Sequence, residues 1–139
     1  MAIQILTDAM VIINGVTLSD HADSVTVTDN RASVDVTAFG AACTTVAKGL
    51  GDGSISMEMF QDFAAGKTHA TLQPLVGSGT GVVIEVRPTS GARSATNPAA
   101  LMTGLLMNYN FLAGGVGEAS KITAEFVNSS QAGVTYVTA

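Results

Sequence analysis

The sequence has 139 residues, a net charge of −5 and only 12% charged side chains, against 47% apolar residues and no Trp. This length supports one core, the acidic balance argues against binding nucleic-acid phosphate, and the longest apolar run, Ala9 to Ile13, is too short to span a bilayer. Ala, Gly, Val, Thr and Ser dominate, which favours a sheet built from small side chains over a helical bundle. Low charge with a positive mean hydropathy points to surface buried against other copies. The basic residues Arg31, Lys48, Lys67, Arg87, Arg93 and Lys121 are scattered. The lone Cys43 has no partner for an internal disulfide, and no basic start followed by an apolar stretch signals secretion.

Residues 9–13 read as a strand, Asn14-Gly15 as a two-residue hairpin turn and Val16 to Leu18 as the return strand. Ser24 to Asp29 alternates, with Val25 and Val27 on one face, and Asn30-Arg31 reads as a turn. Ser33 to Thr37 alternates again. A long loop over residues 38–53 follows, then a strand from Ser54 to Phe60 with Ile55, Met57 and Met59 on one face. From Gln61 to Gly77 the period changes to a helix: Asp62 is the expected N-cap, Phe63, Leu72 and Leu75 the apolar stripe, and Pro74 an early end to the regular helix. Val82 to Arg87 is a strand closed by Pro88, and Thr89 to Pro98 a surface loop. Leu101 to Leu112 is a long strand with a bend or bulge at Gly104, and Glu118 to Val127 another. Residues 128–139 form a C-terminal tail with a last short strand near Val134. The expected architecture is one mainly β domain over residues 1–139, a β-sandwich or half-barrel with one flanking α-helix.

The loop is the most informative segment. It is too long and too apolar for a simple turn: Phe39, Cys43, Val46 and Leu50 lie in it with only Lys48 and Asp52 as charges. These residues, Lys48 included, are the candidate contacts with another subunit. Strand alternation sets Ser33, Asp35, Thr37, Ser54, Ser56 and Glu58 on polar faces, with Val34, Val36, Ile55, Met57 and Met59 toward the core.

Signals for chemistry are weak. Gly66-Lys67-Thr68 resembles the end of a phosphate-binding loop, but the required earlier glycine is Gln61. His21 beside Asp20 and Asp23 is better read as a solvated polar turn than as a metal site, which needs three or more spaced ligands. Cys43 with His69 would make a nucleophile pair only if folding joined them, and nothing local lowers the thiol pKa. Asp35 and Glu58 would suit acid–base work as a pair, yet a solvated sheet face or a channel lining explains them more simply. Gly51-Asp52-Gly53 lacks the further acids of a calcium loop. No catalytic residue, metal or cofactor is expected.

Three blocks in order, Val34-Asp-Val-Thr-Ala-Phe-Gly, Gly49-Leu-Gly-Asp-Gly-Ser-Ile-Ser-Met-Glu and Gln61-Asp-Phe, resemble the tail tube (major tail) proteins of long-tailed bacteriophages. Val83-Ile-Glu-Val-Arg-Pro-Thr and Ser94-Ala-Thr-Asn-Pro extend the resemblance across roughly residues 24–127. It implies a structural virion protein, not an enzyme, assembled in the host cytoplasm into hexameric rings. The rings stack into a hollow tube that passes DNA without binding it specifically. Tape-measure, tail-terminator and tail-tip proteins are the implied further partners. Ser33, Asp35, Thr37, Ser54, Ser56 and Glu58 would line the lumen. Rival readings are a capsid decoration or head–tail connector subunit, or a β-sandwich carbohydrate-binding module.

Overall fold

Asn14 and Gly15 take φ values of 50° and 82°, the left-handed pair that a tight hairpin turn needs, and join β1 (Met10–Ile13) to β2 (Val16–Thr17). In the computed structural model, which describes residues 3–139, they begin a single eight-stranded antiparallel sheet. The other strands are β3 (Ala22–Asp35), β4 (Val46–Phe60), β5 (Val82–Arg87), β6 (Ala99–Tyr109), β7 (Lys121–Asn128) and β8 (Thr135–Val137). Their order is β2-β1-β5-β6-β7-β4-β3, with β8 paired to β6. The chain is thus mainly β with one helix, as its composition indicates.

A short corner curls the sheet. β2 and β3 lie at opposite edges, which would sit roughly 29 Å apart in a flat sheet at about 4.8 Å per strand. Only residues 18–21 connect them, and so few residues reach roughly 17 Å at most. The sheet therefore bends until its edges approach, which makes a half-barrel. Its concave face holds Val11, Ile13, Ile55, Met57, Met59, Ile84, Met102, Ile122 and Phe126, all essentially inaccessible to water. The alternation read for residues 54–60 is the one observed.

Helix α1 (Thr68–Val76) closes the core with Leu72 and Leu75. It starts later than expected: Lys67 is the N-cap, and Asp62 instead accepts the N–H of Ala64 in a local turn. Phe63 lies before the helix, exposed. Pro74 stands inside the helix and not at its end, within two residues of the C-terminus, so its missing N–H removes only one late bond.

Two further expectations are corrected. Asn30-Arg31 is not a turn, because β3 runs unbroken through it. The loop shrinks from 38–53 to residues 36–45, so Val46, Lys48 and Leu50 are strand residues of β4. The last short strand expected near Val134 is present as β8, which pairs with β6, and Val134 itself is buried.

Gly104 is needed for a close approach and not for a bulge, which falls between Leu106 and Asn108. A Cβ on Gly104 would stand 2.8 Å from the Val127 carbonyl oxygen and 2.8 Å from Met102 Cε. The backbone oxygen cannot move without disturbing the β6–β7 pairing. Gly104→Ala should cost about 1–3 kcal/mol in a denaturant titration. Gly79→Ala, with no heavy atom within 4 Å of its new Cβ, is the control. Equal stability of the two variants would show that the approach at Gly104 is not close.

Candidate functional site

β4 pairs with β3 along its whole length but with β7 only over Ser54–Phe60. Residues 30–52 are therefore a two-stranded arm beyond the sheet. Its root is held by the Tyr136 hydroxyl, which donates to Asp29 Oδ2 at 3.2 Å. Past that point, among the described residues, the arm's hydrogen bonds are internal. Thr37 closes the tip: its hydroxyl accepts from the Thr45 N–H at 2.8 Å. Asp35 accepts the Thr37 N–H at 2.9 Å, and the Thr37 contacts hold its carboxyl below the usual carboxylate range. Val34, Val36, Val46 and Leu50 are exposed and Phe39 is fully so. An isolated two-stranded ribbon is marginal in water, and among the described residues nothing covers this one.

The register splits the six candidate polar residues between two faces. Ser54, Ser56 and Glu58 pair with Thr28, Thr26 and Ser24, and on the other side with Val127, Glu125 and Thr123. Val127 apart, they make a polar strip on the convex face. Between Arg31 and Ser33, β4 carries one extra residue, so Ser33 pairs with Lys48 and Asp35 with Val46. β3 keeps its own alternation, which places Ser33 and Asp35 on the Val25/Val27 side. The expectation that Val34 and Val36 point to the core fails for two reasons. By the same alternation they share the convex side with Thr26 and Thr28, and they lie beyond the core's reach, both about half exposed. Asp35 and Glu58 are no pair either: they stand near opposite ends of the hairpin, roughly 35–40 Å apart at strand rise.

The imidazoles have structural partners. Cys43 is exposed at the arm tip, while His69 lies past the opposite end of β4, where its Nδ1 is 2.7 Å from the Tyr109 hydroxyl. They form no dyad. His21 sits in the 18–21 corner with Nδ1 2.8 Å from Asp20 Oδ1 and Nε2 2.8 Å from Asp62 Oδ2. Asp23 is absent from this group and pairs with Lys121 at 2.9 Å. Ionised carboxylates only accept, so both ring nitrogens must donate, which requires the imidazolium. The hydrogen bonds that His21 donates to Asp20 and Asp62 accordingly raise its pKa. Lys67 Nζ stands 3.5 Å from Asp20. Among the described residues no group of three or more His, Cys, Asp or Glu is placed to hold a metal.

This geometry is that of a phage tail-tube fold. The chain is similar to the SPP1 tail tube subunit solved by solid-state NMR and cryo-EM, with a TM-score of 0.73, 11% identity, and coverage of 95% of this chain and 77% of that one. A chain of the native gene transfer agent virion matches with a TM-score of 0.72 and 14% identity over 94% of this chain and 95% of its own. The tail of an empty gene transfer agent particle, refined helically with C6 symmetry, matches at 0.67 and 11% over 84% and 82%. No family model matches the sequence, and no curated protein matches it.

The His21 bridge has a pH signature. Its folded pKa is raised, so its contribution is full below about 6.5 and is lost as pH rises through the folded value. Asp20, lowered first by the His21 bond, and Asp62, lowered first by the Ala64 N–H, contribute above 3.8 and fade as pH falls through their folded values. The Tm difference between wild type and His21→Gln should be largest near pH 5–6.5 and shrink toward pH 8.5. A constant difference across that range would mean that His21 is not held as the imidazolium.

Proposed function

We propose that the chain is a structural subunit that assembles into stacked hexameric rings, forming the tail tube of a phage-like particle through which DNA passes. The observation that carries this reading is the uncovered arm over residues 30–52. It is a long ribbon with exposed apolar side chains, marginal by itself in water, and another chain would supply the cover that it lacks. The C6 symmetry of the similar gene transfer agent tail supports rings of six. The free edge of β3, at one limit of the sheet, offers backbone groups to a neighbour. Tape-measure, terminator and tip proteins would be the further partners, and the virion tail the location.

The convex strip of Ser24, Thr26, Thr28, Ser54, Ser56, Glu58, Thr123 and Glu125 is the surface we assign to the lumen. It is small, polar and acidic, since Lys121 at its margin is paired with Asp23. Repeated around a ring, Glu58 and Glu125 give bands of negative charge that repel phosphate. Ser33, Asp35 and Thr37 belong to the arm instead, where they close its tip or face a neighbour.

Two outcomes follow. Purified protein viewed by negative stain should contain rings or tubes, and monodisperse monomers at high concentration would refute the proposal. Glu58→Lys with Glu125→Lys should leave assembly intact but slow DNA ejection in low salt, with the delay relieved as salt screens the bands. Assembled double-mutant particles that eject at the wild-type rate in low salt would remove this strip from the lumen.

A further inference from the structure

An aromatic patch lies past the end of β4 opposite to the arm. Phe63, Phe111 and Leu112 are 54%, 58% and 65% exposed. The rings of Phe63 and Phe111 are 5.4 Å apart, and His69 contacts them at 5.2 and 5.3 Å. Hydrogen bonds tie together the segments that carry the patch. His69 Nδ1 is bonded to the Tyr109 hydroxyl, and Gln61 Nε2 donates both to that hydroxyl at 2.9 Å and to the Phe111 carbonyl. Exposed aromatics on segments tied in this way are partly preorganised for docking, because less freedom is lost on binding.

We propose that this patch receives the arm tip of a second copy of the chain. The inference rests on the tube reading and names the contact that joins one subunit to the next. The two surfaces match in chemistry. No charged residue occurs between Asp35 and Lys48, where the fully exposed Phe39 sits, and none occurs between Asn110 and Gly117 beside the patch. Geometry forbids the contact within one chain: β4 alone, from Val46 to Phe60, separates tip and patch by roughly 45 Å. Exchange of tips between two copies would close a pair; the rings and tubes proposed above take the heterologous form instead, with tip and patch engaged by different neighbours. Each copy that donates a tip presents a free patch at its far end, and the contact propagates from copy to copy instead of closing on a pair.

Cys43 provides a natural probe, since it lies exposed in the tip. The protein carrying Leu112→Cys should, when assembled and mildly oxidised, run on a non-reducing gel as a ladder well beyond dimer, because each copy links through both its tip and its patch. Val83→Cys, exposed but in mid-sheet, is the control and should stay largely monomeric. If Leu112→Cys itself blocks assembly, Val116→Cys on the same loop, fully exposed, takes its place. Assemblies that form normally but yield no ladder, or no more than Val83→Cys, would overturn the proposed contact and leave the tube reading standing. Failure of the wild type to assemble at all would overturn both.

Discussion

A mismatch in strand length shapes this molecule. β4 runs from Val46 to Phe60, while its neighbour β7 reaches only as far as Ser54. Where β4 has neighbours on both sides, its alternate residues Ile55, Met57 and Met59 reach zero or near-zero exposure. Burial at roughly 25 cal/mol per Å2 of apolar surface makes this half of the strand part of the core. Where β7 ends, the same strand continues with β3 as its one strand partner among the described residues. Among the described residues nothing covers the exposed Val34, Val36, Val46 and Leu50.

The tight corner at residues 18–21 completes the geometry. It forces the two sheet edges together, and the His21 bridge to Asp62 ties that corner to the segment leading into α1. The corner engages only the start of β3, and the rest of that edge has no strand beside it among the described residues. Long bare edges invite indiscriminate pairing. Here the edge is interrupted by irregularities near Asp23 and Arg31 and carries Asp23, Asp29, Arg31 and Asp35. Those features restrict pairing to a partner of defined shape and charge, which suits ordered assembly better than aggregation.

Sequence pattern revealed what the core imprints. Asn14-Gly15, the alternation of residues 54–60 and the strand stopped by Pro88 were all legible, because turn chemistry and one-sided burial leave local marks. The arm was legible only as something unusual. Lys48-Gly-Leu-Gly-Asp-Gly53 reads as loop, since glycine is poor in strands and no core sets a period there. The extra residue opposite Arg31 and Ser33 reverses which side chains share a face, and no one-strand pattern can show that. The aromatic patch draws on Phe63, His69, Tyr109 and Phe111 from separate segments, so only the fold brings it together. The resemblance to tail tube proteins, carried by motif order, agrees with the fold.

The central claim is that residues 30–52 are bare in the free subunit and covered by another copy in the assembly. Amide hydrogen exchange measured on both states addresses it directly. Exchange across residues 30–52 should be fast in the free subunit and slow by orders of magnitude on assembly, while Ile55 to Met59 stays protected in both. Equal protection of residues 30–52 in the two states would contradict the account.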